Sequence, residues 1–257
     1  MLAPLVARDE PVREAGHRDG ERDEDERCRD VRRVVERAGD VDLGLIPSVD
    51  YLQAADYRFV PGVGIGSAGP IASVALYTRV PIDAIRHIAL DTSSRTSVAL
   101  IKVLCRHRFG IAPEFVPHGP DLAAMTRQFD AGLLIGDPAF HADHVALGLR
   151  KIDLGEEWTS MTSLPFIYAA WTGRPGAVTD DAVRALQAAQ AEGVRSIDAI
   201  AAQYGRGEPG LTSRAATYLR DNVRYGLGPS EEAGLQMFLD YVVDLGLAPY
   251  RRTLAFF

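Results

Sequence analysis

Cysteine is scarce in this chain of 257 residues, and the two cysteines lie far apart in the sequence. Cys28 falls in a charged stretch, whereas Cys105 falls on the apolar side of a predicted helix. A disulfide framework needs several cysteines, and a zinc site needs ligands at short, regular spacings. The sequence therefore predicts neither a disulfide framework nor a metal site, and we expect no metal or other cofactor.

Long apolar runs are also lacking, because no stretch approaches the roughly 20 residues that span a bilayer. The first residues do not show the basic start, apolar middle and small-residue cleavage site of a signal peptide. These two absences predict a soluble chain of the cytoplasm with no membrane partner. A length of 257 residues suits one large α/β domain or two smaller ones.

Basic residues are outnumbered by acidic ones, which gives the chain a formal net charge of −7. Proteins that bind nucleic acids usually carry a basic stripe or patch, and no such stripe is visible beyond the charged N-terminal stretch. We therefore expect no nucleic-acid partner. A small molecule is the ligand class that this composition favours.

Nucleotide-binding and hydrolytic motifs are missing as well. The phosphate-binding pattern GxxxxGK followed by Ser or Thr is absent, and Gly64, Gly66 and Gly69 do not form the dinucleotide fingerprint, which opens a helix directly after a strand. Ser73 has no candidate base beside it in the sequence, and the six histidines are scattered. The sequence therefore offers no ready nucleotide site or catalytic triad.

Charge is concentrated at the beginning of the chain, where residues 8–37 carry 20 charged side chains in 30 positions. Such a segment buries too little apolar surface to offset the entropy of ordering. Arginine supplies 26 of the 28 basic residues, a bias typical of GC-rich genes, in which out-of-frame translation yields similar segments. Three interpretations stay open: a solvated charged arm, a genuine helix, or an artefact of gene-start or frame assignment.

From residue 40 onward, short apolar strands alternate with helical patterns, which is typical of α/β layers on a largely parallel sheet. Residues 41–46 predict the first strand, and Ser48 is a candidate cap for the helix after it. Residues 62–69 predict a glycine-rich turn that leads into an extended run over 71–78. Later, Asp137 is predicted as a helix N-cap, with Pro138 as the first helical residue.

The stretch LDTSSRTSVALIKVL, residues 90–104, places many hydroxyl groups at the start of a predicted helix. Residues 87–90 predict a buried strand, so residues 92–97 form a strand-to-helix turn that Thr96 or Ser97 caps. The N-terminus of a helix favours an anion, and Arg95 adds a planar donor fork that suits a carboxylate.

Several such turns follow predicted strands, and ligands of open α/β sheets collect at the carboxyl ends of strands. We therefore expect Ser48, Ser73, the turn at 92–97 and the pair Gly136 and Asp137 to converge on one cleft. Such a cleft, lined by hydroxyls, backbone N–H groups and Arg95, favours a small carboxylate ligand.

Four motifs in fixed order give the chain a family resemblance that runs from about Gly39 to its end. The motifs are GPIASVALYTRVP, LDTSSRTSVALIKVL, DAGLLIGDPAF and IDLGEEWTSMTSLPFIYAAW. With them the chain resembles the chorismate dehydratases of the futalosine route to menaquinone. The runner-up is 1,4-dihydroxy-6-naphthoate synthase of the same pathway, which carries a Thr-Thr turn and a histidine where this chain has Gly136. A non-catalytic protein that binds a small carboxylate is the third alternative.

The resemblance implies a two-lobed α/β fold of the type II periplasmic-binding-protein class, with the ligand held in a cleft between the lobes. Mapped onto this sequence, lobe one comprises residues 1–78 and 172–257, and lobe two comprises residues 79–171. The chain would cross between the lobes near residues 77–81 and 169–172. The helical C-terminal third would then pack back onto lobe one.

The family reaction removes water from chorismate, and the resemblance assigns roles to particular residues. Ser73 matches the serine that approaches the enolpyruvyl group, and it is the predicted catalytic residue. A carboxylate of the substrate is the hypothetical base, because no dedicated base is visible among the matched positions. The predicted substrate-binding residues are Ser48, Ser94, Arg95, Thr96, Ser97, Gly136 and Asp137.

The beginning of the chain departs from the family, whose members start with a strand and a Leu-Asn turn that faces the substrate. Residues 1–37 contain no asparagine, and hence no such turn. We therefore expect these residues to be foreign to the native fold, poorly ordered and produced by a misassigned start or reading frame.

Overall fold

The computed structural model describes residues 42–257, which form two β-sheets flanked by helices. One sheet has three strands in the order β1-β8-β2, and the other has five in the order β5-β4-β6-β3-β7. The strands are β1 (Leu43–Pro47), β2 (Arg58–Ser67), β3 (Val74–Thr78), β4 (His87–Asp91), β5 (Glu114–His118), β6 (Ala131–Ile135), β7 (Arg150–Asp153) and β8 (Phe166–Gly173).

Helices fill the rest of the described chain, most densely after β8. The α-helices are α1 (Arg95–Leu104), α2 (Leu122–Gln128), α3 (Gly136–His141), α4 (Leu154–Thr162), α5 (Asp180–Arg195), α6 (Ile197–Gly205), α7 (Pro209–Thr217) and α8 (Pro229–Asp244). Short 3-10 helices cover Ser48–Gln53 and Ile82–Ala84, and π-helical turns cover Cys105–Phe109 and Tyr218–Asn222. Among these described helices, none is long and apolar enough to cross a bilayer.

The two-lobed α/β architecture predicted from the sequence is confirmed, with one sheet in each lobe. The expectation of a largely parallel sheet is wrong, because β4 is parallel to β5 and β6 while the remaining pairs are antiparallel. A parallel pair needs a crossover connection, usually a helix. Strand β3 follows a link from the other sheet instead, and it runs opposite to β6 and β7.

The links between the sheets lie one strand earlier than the sequence predicts. Val74–Thr78 belongs to the five-stranded sheet and Phe166–Gly173 to the three-stranded sheet, so the chain crosses at residues 68–73 and 154–165. The crossings were predicted near residues 77–81 and 169–172 because extended runs of the sequence end there. An apolar run marks a strand, but the sheet that the strand joins depends on distant partners.

The prediction of a turn over residues 62–69 is wrong for residues 62–67, which belong to strand β2. Gly66 explains the pattern, because a Cβ built there would lie 2.5 Å from the Phe166 carbonyl oxygen and 2.6 Å from Ile167 Cδ1. Real Cβ atoms do not approach backbone so closely. Glycine therefore lets β2 pair closely with β8 where the register shifts between Ile65 and Gly66.

We expect Gly66→Ala to lower the free energy of unfolding by about 2 kcal/mol, because the methyl group forces β2 away from β8. Chemical denaturation followed by circular dichroism measures the change. Gly44→Ala is the matched control in the same sheet, since its methyl group would meet nothing closer than 3.8 Å. Equal stability of the two variants would contradict this account of the glycine-rich strand.

Aromatic side chains join the second link to the C-terminal helix. Trp158 in α4 lies edge-on to Phe166 in β8 at 5.2 Å between ring centroids, and Phe238 in α8 lies 4.8 Å from Phe166. The buried Trp158 Nε1 donates to the Pro165 carbonyl at 3.1 Å. Helix α8 therefore packs on the three-stranded sheet.

Of the two cysteines, Cys105 is the one that lies within the described residues. Cys105 is a buried free thiol, and burial raises its pKa to about 12. Within residues 42–257, no group of three or more His, Cys, Asp or Glu side chains could hold a metal ion. Cys28 and the whole charged stretch of residues 1–37 lie outside the described residues, so the expectations about them stay predictions.

Candidate active site

Three of the predicted site segments meet at one edge of the five-stranded sheet. Strands β4 and β6 are parallel and end there, and β3 runs opposite to β6, so it begins there. Val74 pairs with Ile135, and the Gly136 N–H donates to the Ser73 carbonyl oxygen at 2.8 Å. Since neighbouring strands lie about 4.8 Å apart, β4 and β3 flank β6 at roughly 10 Å from each other.

Ser48 directly follows β1 of the three-stranded sheet and contacts the first turn of α1. Its hydroxyl is fully buried, donates to the Ile167 carbonyl oxygen at 2.7 Å, and lies 3.5 Å from Thr96 Oγ1. The prediction that Ser48 caps the following helix is wrong, because the 3-10 helix begins at Ser48 and the preceding Pro47 is its N-cap. The Ser48 hydroxyl instead connects β8 to the first turn of α1.

The hydroxyl-rich turn is capped by Ser94, not by Thr96 or Ser97 as the sequence suggested. Ser94 Oγ accepts a hydrogen bond from the Ser97 backbone N–H at 3.2 Å and donates to Ser97 Oγ at 2.9 Å. Thr96 and Ser97 are each 1% exposed, and Thr96 Oγ1 accepts from the Val49 N–H at 3.4 Å. These buried hydroxyls hold the turn in place, and their contact with a ligand stays a prediction.

Arg95 is the first residue of α1, and its side chain lies beside the Asp50 carboxylate. Its Nε lies 3.1 Å from Asp50 Oδ1, and the arginine side chain is 39% exposed. The ion pair joins the 3-10 helix Ser48–Gln53 to the start of α1. A cation therefore stands at the positive end of the helix dipole, where an anion is favoured.

Asp137 lies in the first turn of α3 and is not the N-cap that the sequence predicted. Helix α3 begins at Gly136, whose φ of 60° falls in the left-handed region that glycine adopts at low cost. Pro138 is accordingly the third residue of the helix. The exposed Asp137 accepts a hydrogen bond at Oδ1 from the Tyr204 hydroxyl at 3.3 Å.

Ser73 is the last residue of the link from β2 to β3, and it is 6% exposed. Its Oγ lies 2.9 Å from the Tyr218 hydroxyl, which comes from the π-helical turn after α7. The preceding Ala72 has a φ of 65°, an unfavourable conformation for a residue with a Cβ. The surrounding structure must therefore hold the backbone beside Ser73.

The Asp153 side chain fixes the backbone beside Ser73. Its carboxylate accepts hydrogen bonds from the backbone N–H groups of Ile71 at 3.0 Å and Ala72 at 2.7 Å. The same carboxylate caps α4 by accepting from the N–H groups of Gly155 at 3.0 Å and Glu156 at 3.1 Å. Sequence reasoning missed this residue, although Asp followed three positions later by Glu is a recognised helix start.

A lysine supports the same link from the other side. Lys151 in β7 donates from Nζ to the Ala72 carbonyl oxygen at 2.6 Å. Burial lowers the pKa of Lys151, and Arg214 lowers it further, while Asp153 opposes both effects. The link that carries Ser73 is thus fixed at both its N–H groups and its carbonyl.

The C-terminal helices contact α3 next to Ser73. Arg214 in α7 donates to the Phe140 carbonyl at 2.6 Å, and its guanidinium carbon lies 4.8 Å from the centre of the Phe140 ring. The Tyr204 hydroxyl lies 2.9 Å from His141 Nε2. Burial and the Asp137 carboxylate raise the pKa of Tyr204, so its phenol stays neutral. These contacts, invisible in the sequence, join the two lobes.

The arrangement suits a small anionic molecule. Hydroxyl groups and the N-terminus of α1 lie at the sheet edge that carries Ser73, and Arg95, Lys151 and Arg214 contact Asp50, Ala72 and Phe140 of the elements that meet there. Among the described contacts, the Ser73 hydroxyl meets a phenol and not a histidine, which does not fit a hydrolytic triad. Positioning and charge complementarity are the chemistry that these residues offer.

Comparison with known families finds a match across most of the chain. Residues 21–244 match the protein family described as “Menaquinone biosynthesis”. The chain is also 29% identical over 229 residues to the protein named chorismate dehydratase of Thermus thermophilus, covering 82% of this chain and 83% of that protein.

Solved structures show the same fold. Protein AF1704 of Archaeoglobus fulgidus is 21% identical with a TM-score of 0.65, covering 85% of this chain and 84% of that chain. The periplasmic aliphatic sulphonate binding protein SsuA of Escherichia coli is 18% identical with a TM-score of 0.61, covering 88% and 82%. The fold is therefore of the periplasmic-binding-protein kind, as the sequence predicted.

Proposed function

The chain belongs to the menaquinone biosynthesis family, and from this membership we propose that it is a chorismate dehydratase. The proposed enzyme is a carbon–oxygen lyase that converts chorismate into 3-[(1-carboxyvinyl)oxy]benzoate and water. One observation carries the proposal: the relative of that name aligns with most of this chain and most of its own length.

The charges of the site agree with such a substrate. Chorismate carries two carboxylates, an enol ether and a hydroxyl group, so it needs cations and hydrogen-bond donors. Arg95 and the N-terminus of α1 are suited to one carboxylate. The Ser73 hydroxyl is suited to the enolpyruvyl carboxylate, at the opposite side of the sheet edge.

The reaction needs one proton removed and one hydroxide released. A base takes a ring proton, the bond between the ring and its hydroxyl oxygen breaks, and the proton and hydroxide leave together as water. The ring becomes aromatic, which supplies much of the driving force. In our mechanism the enolpyruvyl carboxylate of the substrate is the base, and Ser73 orients that carboxylate by donating a hydrogen bond to it.

Incubation of the purified chain with chorismate tests the proposal. We expect chorismate to disappear and an aromatic enol ether to form, detected by liquid chromatography with mass spectrometry. Binding of chorismate without product, measured by calorimetry, would favour a protein that binds a small carboxylate without catalysis. Neither binding nor product would point to the neighbouring 1,4-dihydroxy-6-naphthoate synthase activity, which is assayed by naphthoate formation.

We expect Arg95→Ala to raise the KM for chorismate about tenfold with little change in kcat. A carboxylate clamp binds the ground state and the transition state alike, so its loss weakens binding uniformly. Steady-state kinetics measures both constants. Arg95→Lys is the matched variant, since it keeps the charge but loses the planar fork, and we expect an intermediate KM. A fall in kcat at unchanged KM would mean that Arg95 acts in the chemical step.

A further inference from the structure

Tyr218 is the side chain that contacts the Ser73 hydroxyl, and it comes from a distant part of the chain. Its hydroxyl oxygen lies 2.9 Å from Ser73 Oγ, within ordinary hydrogen-bond distance. Ser73 precedes β3 of the five-stranded sheet, whereas Tyr218 opens the π-helical turn Tyr218–Asn222 that follows α7. The hydrogen bond therefore connects the C-terminal helices to the sheet edge that carries the proposed reaction.

The Tyr218 ring is fixed by its neighbours. It packs against the Phe140 ring of α3 with 5.3 Å between centroids. At the other end of the same turn, Asn222 Nδ2 donates to the Pro70 carbonyl oxygen at 2.9 Å. The Tyr225 hydroxyl donates to the Leu219 carbonyl oxygen at 3.0 Å. The turn is thus attached at two residues that follow Tyr218, and the Phe140 ring packs against the Tyr218 ring itself.

Tyr218 is a neutral phenol and is therefore able to donate a hydrogen bond. Burial raises the pKa of Tyr218, and the carboxylates of Asp137 and Asp153 raise it further, while a hydrogen bond from Ser73 to the ionised phenolate lowers it. The phenol is therefore protonated at physiological pH. At this distance either hydroxyl could donate. A neutral phenol is a more acidic donor than an aliphatic alcohol, so we take Tyr218 as the donor and Ser73 Oγ as the acceptor.

A serine hydroxyl has one proton and two lone pairs. When Tyr218 donates to one lone pair, the Ser73 proton must point away from the phenol. That proton is then directed to a ligand, and donation into Oγ strengthens it as a donor. We infer that Tyr218 is a positioning residue, which orients the Ser73 hydroxyl toward the enolpyruvyl carboxylate. The inference rests on the proposed function.

A double-mutant cycle with chorismate as substrate tests the inference. We expect Tyr218→Phe to lower kcat about tenfold while KM changes less than about twofold, since the ring stays and one hydrogen bond is lost. In the Ser73→Ala background, the same substitution should have less than about a twofold effect. Tyr168→Phe, which removes a phenol hydroxyl that lies 3.3 Å from Ser67 Oγ rather than beside Ser73, is the matched control and should keep wild-type kcat.

The outcomes separate this inference from the proposed function. An inactive wild-type chain would overturn the proposed function and the inference with it. If the wild type is active and Tyr218→Phe lowers kcat by the same factor in both backgrounds, the inference alone is overturned. An unchanged kcat in Tyr218→Phe has the same consequence. A readout that leaves Tyr218 intact is the ¹³Cζ resonance of its ring, which should shift in Ser73→Ala and stay in Ser67→Ala. An unmoved resonance also overturns the inference.

Discussion

Replacing Ser73 with alanine should lower kcat about a hundredfold while KM changes less than about threefold. The hydroxyl orients the carboxylate that receives the ring proton, so its interaction is strongest in the transition state. A hundredfold loss corresponds to about 2.7 kcal/mol of transition-state stabilisation. Initial rates of product formation over a range of chorismate concentrations separate the two constants.

Ser67 offers a matched control for this substitution. Like Ser73, it is a buried serine whose hydroxyl contacts a tyrosine, with Ser67 Oγ lying 3.3 Å from the Tyr168 hydroxyl. We expect Ser67→Ala to keep a kcat close to that of the wild type. An unchanged kcat in Ser73→Ala would remove Ser73 from the mechanism, and a similar loss in both variants would point to packing instead.

Replacing Asp153 with alanine should cost both stability and activity. The substitution removes the acceptor for four backbone N–H groups, two in the link that carries Ser73 and two at the start of α4. We expect the free energy of unfolding to fall by about 3 kcal/mol, the cost of a lost helix cap and of unpaired donors. Tm should fall by roughly 6–12 °C in a chain of this size.

Activity should fall further than the lost stability explains, because Ala72 is no longer held in its left-handed conformation and Ser73 moves. Rates measured well below the Tm of the variant isolate this effect. Asp153→Asn is the matched variant, since its amide keeps one acceptor oxygen and should lose about half as much stability. A fully stable and active Asp153→Ala chain would show that the link holds its shape unaided.

Local pattern was enough to predict the elements that carry most of the site. The buried strand at His87–Asp91 and the helix at Arg95–Leu104 follow directly from an apolar run and from helical spacing, and both are confirmed. The presence of a helix at Pro138 and the helical C-terminal third are confirmed on the same grounds. Family resemblance added the two-lobed fold, which is likewise confirmed.

Contacts between residues that are far apart in the sequence could not be predicted from the sequence alone. In the sequence, the glycines of β2 resemble a turn. The structure shows that Gly66 instead allows close contact with Phe166 of β8. Ser48 does not cap the helix after it because its hydroxyl donates to the Ile167 carbonyl, which lies 119 positions away. Tyr218 and Asp153 were missed for the same reason, since each acts on a link that is far from it in the sequence.

The two links between the sheets run side by side, and this has a mechanical consequence. Asp153, at the start of the second link, accepts from Ile71 and Ala72 in the first, and the Gly69 N–H donates to Thr159 Oγ1 at 3.0 Å. Two cross-connected links cannot bend independently. We therefore expect the lobes to move relative to each other mainly by opening like a book, with twisting about the long axis opposed by these hydrogen bonds.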